Sequence, residues 1–284
     1  MAVAVSGGAD SLALLLLARA AGLEVEAVHV DHGLRPGSAA DAVVVRAAAD
    51  AVGAAVTVRT IRLVPGPNLE ARARAARYGC LPPGALVGHT ADDQAETVLL
   101  NLLRGAGLDG LAAMAGVQRR VRRPILGLRR ADTAELCASA GWSPVRDPAN
   151  DDLRFRRNQI RHRLMPLMAE VAGRDPVPVL SRTAGLLAAD AELLASLTAA
   201  IDPRDAAALA AAPVPLAARA VRRWLRDGSD AELHPPSAAE VQRVIAVARA
   251  ETAGTEVSGG RRVRRSGGRL RIEPPPLSRP AVPT

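Results

Sequence analysis

The residues best suited to phosphate chemistry lie near the N-terminus. A short apolar run, Val3–Val5, predicts a buried strand, and the leucine-rich run 12–17 predicts a helix. The glycine-rich turn between them therefore opens a helix, where free amides and the helix dipole attract anions, although a purely structural corner fits the same residues. The residues predicted to hold phosphate are Ser6, Gly7, Gly8, Ala9, Asp10 and Ser11. Of these, Asp10 is also suited to hold Mg²⁺.

A group of carboxylates forms a second candidate site. A helix predicted from Thr90 onward begins with several acids, and Thr90 and Asp93 have the spacing of a capping box. The cap accounts for only one of these acids, so we interpret the others as a site for a cation, either an amine substrate or Mg²⁺. A metal cluster that includes His89 is the weaker alternative. The acids are Asp92, Asp93 and Glu96, with Asp31 at the end of another predicted strand.

Arginines share faces on two further predicted helices. In the helix predicted over 69–80, Arg74, Arg77 and Tyr78 have i, i+3 and i+4 spacing. In the arginine-rich segment 154–167, Arg157 and Arg161 lie on a side that differs from the apolar side formed by Ile160, Leu164, Leu167 and Met168. A solvated face is the ordinary explanation of such residues. The excess of arginine in 154–163 favours contact with RNA or phosphate.

Composition narrows the class of protein. The 284 residues include 37 basic and 29 acidic side chains, a formal charge of +8, which suits a polyanionic partner. No residue is lysine, which excludes a Walker A loop. With only 4 aromatic residues, nucleic-acid contact should rest on arginine rather than on base stacking. The 2 cysteines, far apart, indicate neither a disulfide framework nor a zinc site. No apolar run is long enough to span a membrane, and we expect a cytoplasmic protein.

The alternation of predicted strands and helices positions these groups. Strands predicted at 3–5, 23–30, 54–63 and 85–89 are separated by predicted helices, which indicates an α/β fold with a doubly wound, Rossmann-like parallel sheet. Beyond residue 175, alanine-rich helical stretches lead to an arginine-rich hairpin at 261–272. We predict a catalytic domain over 1–172, a smaller helical domain with a terminal hairpin over 173–272, and a disordered Pro-rich tail over 273–284.

Five motifs in a fixed order carry a family resemblance. They are SGGADS, VDHGLR, NLEARARAARY, HTADDQAETVLLNLLRG and DPANDDLRFRRNQIRHRLMP, and they span residues 3–168. Together they resemble the tRNA(Ile)-lysidine synthetase family of the PP-loop ATP pyrophosphatases. Members usually carry residues before the first strand, which here begins at Met1, and this departure puts the completeness of the N-terminus in question.

The resemblance implies a reaction and its partners. ATP would adenylate C2 of the wobble cytidine in a tRNA(Ile) with a CAU anticodon, and the ε-amine of free L-lysine would displace AMP. The tRNA would then read AUA. ATP and Mg²⁺ are the implied cofactors, no membrane is implied, and a homodimer stays open.

The resemblance also implies roles for particular residues. Ser6, Gly7, Gly8, Asp10 and Ser11 would hold the pyrophosphate and Mg²⁺. The catalytic acids would be Asp10, Asp31, Asp92, Asp93 and Glu96. Residues implied near phosphate and RNA are Arg74, Arg77, Arg157, Asn158 and Arg161.

Two alternatives of other kinds remain. A PP-loop tRNA thiolase shares the loop but relies on paired cysteines, a spacing that Cys80 and Cys137 lack. A non-catalytic RNA-binding protein with a vestigial loop is the other alternative, although its binding of RNA would be weakened by the acidic group.

Overall fold

Two compact units, 1–188 and 189–284, make up the chain. The structure is a computed structural model that describes residues 1–31, 33, 38–61, 66, 69–118, 120–227 and 236–274. The domain limits predicted at residues 172 and 272 stay a prediction, and most of the predicted tail lies outside the described residues. Among the described helices, none is both long and apolar enough to cross a membrane.

The first unit alternates strands with helices. Its strands are Ala2–Ala4 (β1), Glu26–Asp31 (β2), Ala55–Thr60 (β3), Ala85–Val87 (β4), Val117–Gln118 (β5) and Val121–Arg122 (β6). Its helices are Ala9–Ala20 (α1), Ser38–Ala51 (α2), Leu69–Gly79 (α3), Ala91–Leu102 (α4), Leu108–Leu111 (α5), Arg130–Ser139 (α6), Arg156–Gln159 (α7) and Met165–Ala172 (α8). A 3₁₀ turn, Pro148–Asp151, precedes α7, and a π-helical segment, Ile160–Leu164, joins α7 to α8. Helix Pro176–Ala199 (α9) continues from this unit into the second.

The strands form one sheet in the order β3-β2-β1-β4-β6-β5, parallel except for β5 on the edge. Val3 pairs with Ala27 of β2 on one side and with Leu86 of β4 on the other. Successive strands therefore lie on one side of β1 and then return to the other. The carboxyl ends of β1 and β4 meet at this reversal, which is where doubly wound sheets bind ligands. The predicted α/β fold is confirmed.

The core of the first unit fixes α1 beneath the loop that precedes it. Leu12, Leu14 and Leu15 are fully buried between the sheet and neighbouring helices. Gly88, just after β4, lies so close to α1 that a Cβ there would approach the backbone carbonyl oxygen of Asp10 to 2.7 Å. A side chain at Gly88 would therefore displace the first turn of α1.

The glycine- and arginine-rich segment between α4 and α6 contains a short helix, α5, and the antiparallel pair of β5 and β6. Leu167 belongs to the apolar side predicted for its helix, but 53% of its surface is exposed. The prediction that it packs in the core is therefore wrong. The π-helical segment advances the chain by a different angle per residue than an α-helix and so displaces the faces that follow.

The second unit has its own core and sheet. Its remaining elements are Ala206–Ala211 (α10), Val214–Arg226 (α11), Ala238–Ala248 (α12), Gly254–Val257 (β7), Arg261–Ser266 (β8) and Arg269–Glu273 (β9). Strands β7, β8 and β9 form an antiparallel sheet, whose first strand the sequence did not suggest. The predicted hairpin is confirmed, with Gly267 and Gly268 both at positive φ, as a tight primed turn requires. Leu225, Ile245 and Leu270 are among the buried residues that join helices to sheet.

Glu240 ties α12 to the turn before β8. Its carboxylate accepts hydrogen bonds from the Ser258 amide and hydroxyl, both at 2.6 Å, and from the Ser237 amide at 2.9 Å. Burial alone would raise the pKa of Glu240, but these donors outweigh burial and lower the pKa to about 2. The interactions that lower this pKa stabilise the fold when the pH lies above the pKa of the carboxyl in the unfolded chain. The stabilisation is lost as pH falls from about 4.5 towards 2.

We therefore expect acid to remove on the order of 2–3 kcal/mol of unfolding free energy through Glu240. Urea titrations between about pH 5 and pH 2, on the wild type and on Glu240→Gln, measure this contribution. The variant should be less stable at neutral pH and lose less stability in acid, whereas parallel pH curves would contradict the assignment.

Candidate active site

The glycine-rich loop follows β1 at the point where the strand order reverses. Gly7 has φ 90°, a conformation that favours glycine, and a Cβ there would contact Val145 at 3.0 Å. The Ser6 amide donates to the Ser11 hydroxyl at 3.1 Å, and the Ser11 hydroxyl donates to the Gly8 carbonyl at 2.8 Å. The first amides of α1 have no intrahelical acceptor and point out of the helix end. The loop is thus held in shape by its own hydrogen bonds and presents donors to an anion.

A cleft of about 280 Å³ opens beside this loop, at the carboxyl ends of β1, β2 and β4. Its polar lining comes from the loop, both flanking strands, α2, α3 and the segment after α6. The residues are Ser6, Gly8, Ser11, His29, Asp31, Asp41, Arg77, Tyr78, Gly88, His89, Asp147 and Asn150. The Arg77 guanidinium lies 5.8 Å from the centre of the Tyr78 ring. The volume, position and polar lining suit part of a nucleotide.

On the other side of the loop, acids of α4 meet arginines. Asp92 binds Arg129 through both oxygens, at 3.0 and 3.1 Å, and accepts from the Arg130 amide at 2.8 Å. Arg129 also pairs with Asp175. Burial would raise the pKa of Asp92, but the hydrogen bond from Arg129, the bond from Arg130 and both arginine charges hold it below its ordinary value.

Glu96 is the most enclosed of these acids, with 2% of its surface exposed. It binds Arg157 Nε and Arg161 Nε at 2.7 Å each and Arg130 at 3.1 Å. Asp93 accepts from Arg157 at 2.9 Å, from Arg130 at 3.3 Å and from the Thr90 amide at 2.9 Å, and the last bond confirms the predicted cap. Burial would raise the pKa of both acids, yet the guanidinium groups keep both below their ordinary values.

Asp10 joins this group from the loop side. Its Oδ1 accepts from the Thr133 hydroxyl at 2.5 Å, and its Oδ2 lies 3.9 Å from Arg130 Nε. We call Asp10, Asp92, Asp93 and Glu96, together with Arg129, Arg130, Arg157 and Arg161, the carboxylate–arginine cluster. Its four acids and four bases balance in charge.

Asp10 differs from the other acids because its pKa is raised. Burial is the main cause, and the charges of Asp93 and Asp92 add to it, while the hydrogen bond from Thr133 and the charge of Arg130 act in the opposite direction. A buried carboxylate with too little compensating charge is stabilised by an added cation. Mg²⁺ in proteins is commonly held by one or two carboxylates together with substrate phosphates, and Asp10 beside the loop fits that pattern. The described residues contain no group of three or more His, Cys, Asp or Glu that could hold a metal.

The predicted RNA contacts fall into different surroundings. Arg77 lines the cleft, and the side chain of Arg74 lies outside the described residues. Arg157 and Arg161 turn to Asp93 and Glu96, with 28% and 24% of their side chains exposed. Asn158 is buried and donates to the carbonyls of Ala149 and Asp152, so it holds the 3₁₀ turn beside the cleft. The roles of these residues in binding RNA stay a prediction.

Sequence reasoning missed Arg129, Arg130 and Thr133. One signal was present: two adjacent arginines begin α6, where the positive helix end disfavours cations, so both require anionic partners. Those partners are the acids of α4 and Asp10. Thr133 offered no signal, because the carboxylate it contacts lies 123 residues away in the chain.

Two family models match the chain in consecutive segments. A model described as a PP-loop domain matches residues 1–168, and one described as the TilS substrate binding domain matches residues 205–271.

Curated relatives match across both segments. A tRNA(Ile)-lysidine synthase of Nocardia farcinica is 44% identical over 242 residues, which are 80% of this chain and 76% of the relative. One of Rhodococcus erythropolis is 43% identical over 80% of this chain and 74% of the relative. Among solved structures, a U34-tRNA thiolase of Methanococcus maripaludis with its [4Fe-4S] cluster has TM-score 0.55 at 15% identity, over 66% of this chain and 70% of its own. That similarity concerns the fold.

Proposed function

The chain belongs to the tRNA(Ile)-lysidine synthase family, and we propose on that premise that it joins lysine to C2 of the wobble cytidine of tRNA(Ile). It is an ATP-dependent ligase with a PP-loop domain. The reaction has two steps, adenylation of the cytidine with release of pyrophosphate and displacement of AMP by the ε-amine of lysine. The observation that carries the proposal is the preformed anion loop between a cleft that suits part of a nucleotide and the carboxylate–arginine cluster.

Each side of the loop has its own task. The cleft receives the nucleoside of ATP, and the loop amides, with Ser6 and Ser11, hold the leaving pyrophosphate. Donors fixed in advance stabilise the charge that builds on a leaving group without having to reorganise. Asp10 would hold Mg²⁺, which supplies positive charge against the phosphates when bound.

The cluster provides the place for the amine. Carboxylates attract the lysine ammonium, and one of them would accept its proton before attack, because only the neutral amine is a nucleophile. In the described state, however, Arg157 and Arg161 already neutralise Asp93 and Glu96. We propose that phosphates of bound tRNA draw these two arginines away from the acids. This exchange would leave negative charge for the amine only when tRNA is present.

Replacing Arg157 and Arg161 with glutamine tests this exchange. Two lost phosphate contacts should reduce the salt slope of tRNA binding by about one unit each, so the loss of affinity is largest at low salt. Equilibrium binding of the tRNA over a range of salt concentrations measures the slope, with Arg46→Gln, an exposed arginine of α2, as the control. An unchanged slope would place the RNA contacts on other residues.

The same proposal makes lysine binding depend on tRNA. Equilibrium dialysis with labelled lysine should give higher affinity in the wild type when tRNA is added. Equal lysine affinity with and without tRNA would contradict the exchange of partners.

The second unit supplies a further basic surface. Strand alternation places Arg262, Arg264, Arg269 and Arg271 on the exposed side of the β8–β9 hairpin, opposite buried Val263 and Leu270. This surface lies within the segment matched by the substrate binding domain model. We propose that it contacts the tRNA backbone, where arginine binds phosphate regardless of sequence.

The proposed substrates also support a cytoplasmic location. The homodimer stays a prediction, which analytical ultracentrifugation would check.

Incubation of the purified protein with ATP, Mg²⁺, labelled lysine and tRNA(Ile) bearing CAU tests the function. We expect lysine in the tRNA together with AMP and pyrophosphate, and none with a transcript whose wobble cytidine is replaced by uridine. Absence of both lysine transfer and AMP would contradict the proposal. Transfer of sulfur would favour the thiolase alternative, and tRNA binding without ATP turnover would favour a passive RNA-binding protein.

A further inference from the structure

Helix α6 contacts the first turn of α1, just after the glycine-rich loop, through two side chains. Thr133 is fully buried, and its hydroxyl lies 2.5 Å from Asp10 Oδ1. One turn later on the same helix, the Cys137 thiol lies 3.4 Å from the Ala9 carbonyl. Both contacts point at the first turn of α1, so α6 supports the part of α1 that follows the loop.

The Thr133 hydroxyl has two acceptors within reach but only one proton. The Arg130 carbonyl lies at 2.9 Å, an ordinary contact with the preceding helical turn, and the Asp10 carboxylate lies nearer. Hydroxyl donors to carboxylates form the shorter and stronger bonds, so the proton goes to Asp10. The bond to Asp10 is therefore additional to the contact that the hydroxyl makes with its own helix.

The two carboxylate oxygens of Asp10 therefore have different surroundings. Oδ1 is occupied by Thr133, whereas Oδ2 has Arg130 Nε at 3.9 Å, too far for a hydrogen bond. The carboxylate is therefore fixed in rotation with one oxygen still able to accept a ligand. Around it stand Arg130 and Cys137 on α6 and Asp92 and Asp93 on α4.

We propose that Thr133 is a positioning residue, which holds Asp10 in the orientation that binds the Mg²⁺ of Mg·ATP. The proposal rests on the role given to Asp10 in the proposed function. It assigns to Thr133 no contact with substrate. Its effect should appear in the metal dependence of nucleotide binding and should be absent from tRNA and lysine binding.

Thr133→Val removes the hydroxyl and keeps the shape, whereas Thr133→Ser keeps the hydroxyl and removes a methyl group. Binding of a fluorescent ATP analogue is followed as Mg²⁺ is raised and, separately, in EDTA. We expect Thr133→Val to raise the half-saturating Mg²⁺ concentration about tenfold, as loss of one hydrogen bond to a charged group implies. Binding in EDTA should not change, and Thr133→Ser should stay within about threefold of the wild type.

Thr198→Val is the matched control. Thr198 is also buried, and its hydroxyl donates to a carbonyl of its own helix, Leu194, at 2.5 Å. Its replacement should leave the Mg²⁺ dependence unchanged. Wild-type behaviour of Thr133→Val would overturn the proposal. An equal rise in Thr133→Ser would also overturn it, because packing rather than the hydroxyl would then be responsible.

Thermal unfolding shows whether each variant is folded. If Thr133→Val does not fold, Thr133→Cys takes its place, since a thiol is a weak donor of similar size. An unchanged Mg²⁺ dependence in that variant would overturn the proposal. A wild type that fails to transfer lysine, with the Mg²⁺ effect of Thr133 intact, would instead count against the proposed function.

Discussion

Asp10→Asn is expected to slow pyrophosphate release from ATP by about a hundred- to a thousandfold, the usual cost of removing one fixed electrostatic group from a reacting centre. The substitution keeps the size of the side chain and removes its charge. Affinity for tRNA should stay the same or rise slightly, since the lost charge has the sign of RNA phosphate. Pyrophosphate release in the presence of tRNA and equilibrium tRNA binding measure the two effects separately.

The same variant should fold at least as stably as the wild type. The raised pKa of Asp10 means that the folded protein disfavours its charge, most strongly through burial and with Asp93 and Asp92 contributing. Removing that charge therefore removes an unfavourable contribution to the free energy of folding, while it disables the site. Such a trade-off between stability and activity is typical of functional residues. Asp190→Asn, at an exposed position of α9, is the control. Joint loss of tRNA binding and stability would show that the loop acid is structural.

The sequence predicted the parts of the site that depend on local chain geometry. The strand–glycine turn–helix order at 3–17 and the alternation of strands with helices led to the correct sheet and to the loop at its reversal point. The Gly267–Gly268 turn followed from its own residue types. Each of these features is set by residues near one another in the chain.

Local chain geometry could not predict that Arg157 and Arg161 point towards the acids of α4. Periodicity showed that Arg157 and Arg161 share a face, but not that this face meets the acids of α4, more than 60 residues earlier. The net charge of +8 suggested outward arginines, whereas burial of Glu96 requires inward ones, because an unpaired buried charge is costly. The contact of Thr133 with Asp10 was unpredictable for the same reason, because it depends on how α6 packs beside α1.

The arrangement links the phosphate side of the loop to the amine side. Arg130 lies within ion-pair distance of Asp10, Asp93 and Glu96, and it sits on the same helix as Thr133. If the ion pairs of Asp93 and Glu96 change, Arg130 at the start of α6 therefore transmits the change to Asp10. This coupling suits a reaction in which adenylation has to precede attack by the amine.

Glu96→Gln should lower the free energy of unfolding by about 3–5 kcal/mol, because it leaves guanidinium groups buried without their counter-charge. Glu96 contacts three of them, Arg130, Arg157 and Arg161, and the isosteric amide supplies neither the charge nor both acceptors. Urea unfolding of the full chain measures the loss. Asp152→Asn, which breaks an ion pair with the 88% exposed Arg154, is the control and should change stability little.

Combining the substitution with Arg161→Gln tests the cause. If charge imbalance is responsible, the double variant should be more stable than the sum of the two single losses implies, since one uncompensated cation has been removed with its anion. Additive losses, or a Glu96→Gln variant as stable as the wild type, would mean that solvent already screens the cluster. In that case Asp93 and Glu96 could accept the lysine ammonium while still paired, and the exchange of Arg157 and Arg161 between acids and tRNA would not be needed.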